Sequence, residues 1–256
     1  MLIVGLGEAG CNIAKLFEQH EQYQVELLDE GKGIKKCTTP EEYDSINYRP
    51  RKKAIKSAAE GFLFVCGSGK VAAATLRVLD GLRHVKMTVV YICPDLEYAS
   101  DGEKLRHNAH CGILQQYARS GMFNELLLID NKLLLEIVGH GTIYEYYTKV
   151  NYLIYSAVHT LNYCKNVKPD FSTPHERRDV SRIVTLGYDE LEKNEEKMFF
   201  PLDNITETSY IININEEDLN NDISLLPNIK AMINENKKRG RQSSFAIWST
   251  SEEKNY

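Results

Sequence analysis

Short runs of apolar and β-branched residues recur along the first half of the chain, and each is followed by a segment with helical spacing of its apolar positions. The predicted strands are residues 2–4, 24–28, 62–65, 87–92 and 126–129. The predicted helices are residues 9–19, 71–82, 103–120 and 132–138. Because the strands show almost no polar face, we expect both of their faces to be buried. The pattern therefore predicts an α/β fold, with a parallel sheet and helices on both faces.

The pattern changes after residue 142. Residues 143–164 have apolar side chains at helical spacing over a length too great for one more crossover helix, so they are predicted to form a central or boundary helix. Pro169 and Pro174 close this region. Ser172 and Thr173 lie between these prolines and can cap a further helix. The exposed face of that helix would carry Glu176, Arg177, Arg178 and Asp179.

The last part of the chain predicts a small α/β addition. Residues 189–197 are polar and are predicted to be a linker. After them we expect a strand at 210–214, a helix at 222–238 and a strand at 245–249. The predicted organisation is a parallel-sheet domain (1–142), the long helix with the loop and helix that follow it (143–182), and a small C-terminal domain (183–256).

Composition excludes several functional classes. The chain has 256 residues, with 31 Lys and Arg against 36 Asp and Glu, which gives a net charge of −5. A chain with this charge has no global positive field, so nucleic acid and anionic lipid are not expected partners. The 43% hydrophobic and 26% charged residues are typical of a folded globular protein.

The cysteines and the apolar runs indicate the cellular compartment in which the protein is expected. Six cysteines are scattered without a CxxC pair, which predicts reduced thiols in a cytoplasmic protein, with neither a disulfide framework nor a metal site. No basic leader precedes the first apolar run, so we expect no signal peptide. The apolar run of residues 126–138 contains Asp130, Lys132 and Glu136, and it is too short and too charged to span a membrane.

A GxGxxG pattern follows the first predicted strand and opens a helix. Its residues are Gly5, Gly7, Glu8, Ala9 and Gly10. Free N–H groups and the positive end of the helix dipole attract phosphate at such a turn. Asp29 or Glu30 ends the second strand about twenty residues later, where a dinucleotide-binding fold has its acid for a ribose hydroxyl. This part alone favours NAD or FAD in a Rossmann-like fold, and glycines that merely permit a tight turn are the simpler alternative.

A second glycine loop follows the third predicted strand and again opens a helix. Its residues are Gly67, Ser68, Gly69 and Lys70. One phosphate-bearing ligand that bridges both loops is the economical interpretation. The loop is not a Walker A motif, because Phe64 stands in the place of the first glycine and Val71 in the place of the metal-binding Ser or Thr. Lys70 is either a counter-charge for phosphate or an exposed lysine in a first helical turn.

The order of the segments around these loops resembles the tubulin/FtsZ family of GTP-binding, filament-forming proteins. The segment IVGLGEAGCNIAKLF is similar to the first phosphate loop and helix of that family, with Asn12 in the place of a family Asn. FLFVCGSGKVAAATLRVL lies where the family has its GGGTGTG loop. CPDLEYASDGEKLR resembles the loop that reaches the ribose, with Asp101 and Gly102 as counterparts. LLLIDNKLLLEIVGHG resembles the fifth strand, an Asn-Asp-Lys-Leu-Leu turn and a short helix.

The resemblance implies a tubulin/FtsZ-like fold, with residues 143–164 as its central helix and with an abbreviated C-terminal domain. It also implies that Tyr147 stacks on guanine and that Asn151 hydrogen-bonds to it, since purine recognition needs stacking and an amide. Tyr152 stands where the family often has an acid, which weakens the inference of guanine over adenine. Without the resemblance, Tyr147 and Tyr155 would be interpreted as aromatic packing on a helix face.

The segment KPDFSTPHERRDV resembles the loop and helix that the family inserts into the nucleotide site of the next subunit, where two acids activate water. Asp170 matches the first acid, and Thr173 replaces the second. One acid beside Lys168 is a poorer arrangement for activating water than two. The second glycine loop has also lost its threonines, so the resemblance implies slow or impaired hydrolysis. An ordinary acid beside a helix is the alternative role for Asp170.

Three functions follow from these interpretations. The first is a protein that binds GTP or GDP and assembles head to tail into filaments, with Asp170 catalytic and magnesium accompanying a triphosphate. The second is a non-hydrolysing regulator that co-assembles with another tubulin-like filament protein. The third is an NAD(P)-binding oxidoreductase, although His107 and His110 are interpreted as surface residues of a helix rather than as acid/base catalysts.

Overall fold

The structure is a computed structural model that describes residues 1–50, 53–139, 142–175, 178–188, 196–238 and 240–250. The described residues form twelve strands, namely β1 (Leu2–Leu6), β2 (Gln24–Glu30), β3 (Gly33–Ile34), β4 (Glu60–Cys66), β5 (Lys86–Cys93), β6 (Glu125–Asp130), β7 (Phe171–Ser172), β8 (Ile183–Thr185), β9 (Gly187–Tyr188), β10 (Lys197–Met198), β11 (Glu207–Asn215) and β12 (Gln242–Thr250). They also form nine α-helices, namely α1 (Gly7–Lys15), α2 (Pro40–Asp44), α3 (Lys53–Lys56), α4 (Thr75–Gly81), α5 (Asp101–Arg119), α6 (Asn131–Val138), α7 (Ile143–Asn166), α8 (Glu216–Asn221) and α9 (Leu225–Lys238). Two 3-10 helices span Leu16–Gln19 and Lys70–Ala74.

Seven strands form one parallel sheet in the order β3-β2-β1-β4-β5-β6-β8. Its central strands are almost wholly buried between helices, as their continuous apolar sequences predict. The predicted fold class is confirmed, and all five predicted strands of this sheet are present. The edge strands β3 and β8 are additional, because strands of two or three residues have too few positions to show a hydrophobic pattern.

The order of the strands reverses at β1. The chain passes from β1 to β2 on one side and then crosses back to β4 on the other side. In open parallel sheets, ligands bind outside the carboxyl ends of the strands at such a reversal. Gly7 follows β1 and Gly67 follows β4, so the two glycine loops of the sequence lie side by side at this point.

Glycines permit α1 to pack directly onto this sheet. A Cβ atom at Gly5 would lie 2.6 Å from the Gly10 carbonyl oxygen and 2.6 Å from Cys11 Cα. A Cβ atom at Gly10 would collide with the carbonyl oxygen of Phe64 in β4. Gly7 has a φ of 73°, a conformation that other residues rarely adopt. The GxGxxG pattern is therefore needed for the strand-to-helix turn and for the close contact of α1 with β1 and β4.

The helices begin and end near their predicted positions, with two physical differences. The helix predicted from residue 71 begins as the 3-10 helix Lys70–Ala74, and α4 starts only at Thr75, whose Oγ1 donates to the Ala72 carbonyl oxygen at 2.6 Å. α5 starts at Asp101, two residues earlier than predicted, because Ser100 and Glu103 form a capping box.

The segment between β2 and β4 is fastened to β2 by two tyrosines. The Tyr43 hydroxyl donates to Glu30 Oε1 at 2.5 Å, and the Tyr48 hydroxyl donates to Glu26 Oε2 at 2.5 Å. Burial, together with the neighbouring carboxylates, raises the pKa of both hydroxyls, so they remain donors. This segment includes α2 and α3, which the hydrophobic pattern does not predict.

A second sheet has the order β11-β12-β7. β11 and β12 are parallel and are connected through α8 and α9, so they form a βαβ unit. One face packs on α9 through the isoleucines Ile212, Ile214, Ile229, Ile233 and Ile247. The other face packs on the end of α7, where Cys164 clusters with Ala246 and Trp248. The strands and the helix predicted for this part of the chain are present.

The prediction of a helix after Pro174 is wrong for those of its residues that the structure describes. Ser172, expected to cap it, lies in β7 with a φ of 64° and pairs with Ala246. Pairing with β12 decides the conformation here, and it overrides the local capping preference. Residues 173–175 and Arg178 have no regular structure, whereas Glu176 and Arg177 lie outside the described residues.

The predicted linker falls mostly on residues 189–195, which lie outside the described residues. Its last residue, Lys197, belongs to β10, which pairs antiparallel with β9.

Contacts divide the chain into two compact units. The first consists of Met1–Ser156 and Val180–Leu186, and the second of Ala157–Asp179 and Gly187–Tyr256. The helix α7 contributes residues to both units. The domain boundaries drawn after residues 142 and 182 stay a prediction. None of the described helices combines the length and apolar character that a membrane crossing requires.

The role of Gly10 is testable with a matched pair of alanine substitutions. Gly10→Ala places a methyl group against the backbone of β4, which cannot move aside, so we expect a loss of about 3 kcal/mol or more in the free energy of unfolding. Gly112→Ala is the control, because Gly112 is an exposed residue of α5 with open space around it and should gain about 0.5–1 kcal/mol. Urea unfolding of both variants measures the difference. Equal stability of Gly10→Ala and wild type would contradict the close contact.

Candidate functional site

The amino end of α1 presents its first backbone N–H groups at the end of β1. The N–H groups of Gly7, Glu8 and Ala9 occupy the first turn, where no acceptor exists within a helix. The residue before them, Leu6, provides no side-chain cap. The helix dipole adds partial positive charge at the same place. This end of α1 therefore has the properties of an anion site, and the exposed Asn12 lies one turn further along α1.

The second glycine loop presents a similar set of donors at the end of β4. Its first N–H, at Gly67, donates to the Ile92 carbonyl oxygen at 3.1 Å. The next two, at Ser68 and Gly69, make no hydrogen bond within the part of the chain that the structure describes. Lys70 and Val71 open the 3-10 helix, so their N–H groups have no acceptor in that helix. The loop thus presents consecutive backbone donors although it contains no threonine.

The two loops adjoin each other. A Cβ atom at Gly7 would lie 3.8 Å from Val71 Cβ, which is ordinary van der Waals contact. Both sets of donors stand at the carboxyl ends of adjacent strands, where the strand order reverses. A polyphosphate is long enough to contact both, so one anion site is the simplest use of the arrangement.

Charged residues next to the loops already have partners within the chain. Lys70 is exposed, and its Nζ donates to the Thr38 carbonyl oxygen at 3.3 Å. At the end of β2, Glu30 accepts from Tyr43 and forms an ion pair with Lys36 at 3.4 Å. The hydrogen bond from Tyr43 lowers the pKa of Glu30. Asp29 Oδ1 accepts from the Glu30 N–H at 2.9 Å. Glu30 is therefore engaged with Tyr43 and Lys36, whereas the Asp29 carboxylate accepts, within the described part of the chain, only from the N–H of the next residue.

Asp101 is placed at the start of α5, beyond the end of β5. It is the first residue of the helix, and it is exposed. The capping box of Ser100 and Glu103 satisfies the N–H groups beside it, with 2.9 Å from the Ser100 N–H to Glu103 Oε2. The Asp101 carboxylate is not needed for this cap, so it remains available to accept a hydrogen bond from a ligand.

The two residues expected to contact a base lie in the first half of α7. The Tyr147 ring is 60% exposed, and it packs edge-on against Tyr146, with ring centroids 4.9 Å apart. Asn151 is half-buried, one turn further along the helix. Tyr155 is only 5% exposed, packs on Phe17 at 4.9 Å between ring centroids, and so is a packing residue. Tyr147 has a free ring face to offer, and Tyr155 has none.

Asp170 belongs to the second unit, where it is exposed and bound to β12. Its Oδ2 accepts from the Ser249 N–H at 2.7 Å, and its own N–H donates to the Ile247 carbonyl oxygen at 2.9 Å. Hydrogen bonds from Ser249 lower the pKa of Asp170, which therefore stays ionised at neutral pH. The carboxylate has a structural role in joining α7 to β12, and one of its oxygens is committed to that role.

Sequence reasoning missed the residues that support the second loop. The sequence predicts a surface position for His107, but it is only 8% exposed, and its Nδ1 lies 3.0 Å from the Tyr91 hydroxyl. Burial lowers the pKa of both His107 and His110, to about 4 for His110, where the charge of His107 adds to the effect. The spacing of His107, Leu114 and Ala118 along α5 was a signal for a buried face.

A hollow of about 410 Å³ lies elsewhere, in the second unit. It is lined by Asn215, Glu216, Glu217, Asn220, Asn221 and Thr250. Its two carboxylates would repel phosphate, so this hollow is not suited to a nucleotide. Among the described residues, no group of three or more His, Cys, Asp or Glu side chains could hold a metal ion.

No protein-family model matches the chain, and no curated protein does either. Solved structures do match. FtsZ from M. jannaschii, in an empty dimer, has a TM-score of 0.69 at 12% identity, over 97% of this chain and 83% of that chain. CetZ from Methanosaeta thermophila has a TM-score of 0.64 at 11% identity, over 99% of this chain and 84% of that chain. A mutant of M. jannaschii FtsZ gives 0.67 at 12% identity, over 98% and 86%.

The chain therefore has the tubulin/FtsZ-like fold, as its motifs implied. Sequence identities of 11% and 12% support a shared fold and nothing more. The ligand, the chemistry and the assembly have to be argued from the residues of this chain.

His110 of α5, whose Nε2 is buried, predicts an acid-dependent loss of stability. His110 has a pKa of about 4 in the folded chain against 6.5 in the unfolded chain, so the unfolded chain takes up a proton first as pH falls. Wild type should therefore lose stability between pH 6.5 and 4, by at most about 3 kcal/mol for this residue. His110→Gln should show a flatter profile in urea unfolding across that range. The same slope in both proteins would contradict the burial of His110.

Proposed function

We propose that the protein binds GTP or GDP and assembles head to tail into filaments, with slow or impaired hydrolysis. The observation that carries the proposal is the pair of adjoining donor sets, Gly7–Ala9 and 68–71, at the reversal of strand order. Backbone donors of this kind bind phosphate without any particular side chain. Among phosphate-bearing ligands we favour guanine nucleotides, because the chain has the tubulin/FtsZ-like fold.

Each predicted residue then has a role at one end of the nucleotide. In the first loop Gly7, Glu8 and Ala9 donate to the phosphates, while Gly5 and Gly10 let α1 approach the sheet. Asn12 and the second loop (Gly67, Ser68, Gly69, Lys70) complete the phosphate site. Asp101 accepts from a ribose hydroxyl. Tyr147 stacks on the base, and Asn151 reads its edge. Magnesium would be held mainly by a triphosphate, since the described residues contain no carboxylate cluster for it.

Hydrolysis would require Asp170 of a neighbouring copy to align water against the terminal phosphate. A head-to-tail contact of this type is heterologous, so it propagates into a filament. Asp170 is ionised, but Ser249 already occupies one of its oxygens, and Thr173 takes the place of a second acid. Both features favour slow turnover.

The same features favour a second function, a non-hydrolysing regulator that binds the nucleotide and co-assembles with another tubulin-like filament protein. Its distinguishing property is nucleotide binding without phosphate release. An NAD(P)-dependent oxidoreductase has less support, because Glu30 is engaged with Tyr43 and Lys36 and because His107 is buried against Tyr91.

A cytoplasmic location fits the thiols. The six cysteines are free, and burial raises the pKa of Cys11 to about 11, so that it is inert as a nucleophile. Unpaired cysteines are characteristic of a reducing compartment.

Nucleotide identity is the first test. Protein purified without added nucleotide is denatured, and the released small molecules are analysed by ultraviolet spectra and mass spectrometry. GDP or GTP is expected. In a separate binding measurement, the affinity for GDP should weaken about tenfold in Asn151→Ala, because a hydrogen bond to the edge of the base is lost. Asn166→Ala, at the far end of α7, is the control. Recovery of NAD(P) or of an adenine nucleotide would overturn the proposal.

Turnover tests Asp170. Asp170→Asn keeps an oxygen for the Ser249 N–H but removes the charge, so phosphate release should fall at least about tenfold while GDP affinity stays unchanged. Asp222→Asn is the control, because Asp222 makes a similar bond to the Ser224 N–H at 2.8 Å. Unchanged turnover in Asp170→Asn would remove this residue from the mechanism.

Assembly is measured separately, by pelleting and electron microscopy with GTP, with GDP and without nucleotide. Filaments that depend on the nucleotide are expected. A protein that stays monomeric at high concentration in all three conditions would contradict self-assembly.

A further inference from the structure

The second glycine loop is contacted by two neighbouring residues of α5. Arg106 Nε donates to the Ser68 carbonyl oxygen at 2.9 Å. His107 contacts the Tyr91 hydroxyl, and that hydroxyl fills the space where a side chain at Gly67 would begin. The helix α5 therefore touches the loop directly at Ser68 and through Tyr91 at Gly67.

The contact through Tyr91 has a defined arrangement of hydrogens. The Tyr91 hydroxyl donates to the His107 carbonyl oxygen at 3.2 Å and lies 3.0 Å from His107 Nδ1. Because a hydroxyl has one hydrogen, the ring must donate from Nδ1 when both bonds form. The two residues thus hold each other in one geometry beneath Gly67, and the Gly67 N–H is fixed on the Ile92 carbonyl oxygen at 3.1 Å.

The contact through Arg106 fixes the direction of a donor. In a trans peptide the carbonyl of one residue and the N–H of the next point to opposite sides. With the Ser68 carbonyl oxygen on Arg106, the Gly69 N–H must point away from Arg106. If that peptide turned over, which a glycine permits, a carbonyl oxygen would face the phosphates in place of a donor.

We propose that Arg106 and the Tyr91–His107 pair are positioning residues that hold the second glycine loop in its phosphate-accepting shape. The inference rests on the proposed nucleotide site and extends it. Few glycines and no threonines remain in the loop to define its shape. The shape is defined instead by α5, through the bond from Arg106 to the Ser68 carbonyl oxygen and through Tyr91, which His107 holds against Gly67.

Two variants that remove the same charge from α5 test the Arg106 contact. Arg106→Gln loses the bond to Ser68, whereas Lys104→Gln loses a charge two residues away that has no bond to the loop. The affinity for GDP, measured by displacement of a fluorescent GDP analogue, should fall about tenfold in Arg106→Gln and stay within about twofold in Lys104→Gln. Displacement by guanosine should be unchanged in both, because guanosine has no phosphate for the loop to hold.

A ligand-free measurement separates this inference from the proposed function. The amide resonances of Ser68 and Gly69 should shift in nucleotide-free Arg106→Gln and stay unchanged in Lys104→Gln. Tyr91→Phe keeps the ring and removes the hydroxyl, so it should shift the Gly67 amide, whereas Tyr48→Phe, which removes a hydroxyl bound to Glu26, should not.

The outcomes are distinguishable. GDP affinity within twofold of wild type in Arg106→Gln, or unchanged loop amides in that variant, overturns the inference. If wild type binds no guanine nucleotide, the proposed function fails, and the amide resonances alone then decide whether α5 supports the loop.

Discussion

Everything at the candidate site depends on the close approach of α1 to β1 and β4. Gly5 and Gly10 leave no room for a side chain between the helix and the sheet, so α1 starts immediately after β1 and its first N–H groups stand beside the loop that follows β4. A bulkier residue at Gly10 would push the helix from the sheet and separate the two donor sets. The same glycines thus allow α1 to pack on the apolar strands and place its first N–H groups beside the second loop.

Backbone chemistry explains how the second loop can present an anion site without threonines. Threonines and extra glycines shape such a loop, but the N–H groups that meet an anion belong to every residue except proline. In this chain Ser68, Gly69, Lys70 and Val71 still present theirs, and α5 contacts the loop at Ser68. Catalysis is different, because activating water needs specific carboxylates. Asp170 already accepts a hydrogen bond from Ser249, so the site we propose is better suited to binding a nucleotide than to hydrolysing it.

The sequence predicted the parallel sheet, α1, the long helix α7 and the two glycine loops, because apolar periodicity and glycine position determine all of these locally. It did not predict α2, β3 or β7, because these segments have no periodic pattern of their own. Pairing with β2 organises β3, pairing with β12 organises β7, and the hydrogen bond from Tyr43 to Glu30 fastens α2. The buried side of α5 was also missed. Histidine is usually an exposed residue type, but His107 shares the buried face of α5 with Leu114 and Ala118 and contacts Tyr91.

The central claim is that the ends of β1 and β4 together form one phosphate site. Backbone amide resonances of the whole protein, recorded during titration with GDP and with guanosine, test it most directly. We predict that the amides of Gly7, Glu8 and Ala9 shift together with those of Ser68 and Gly69 on addition of GDP, with one common affinity, and that guanosine leaves both groups in place. GDP that binds without shifting either group, or that shifts only one of them, would contradict the claim.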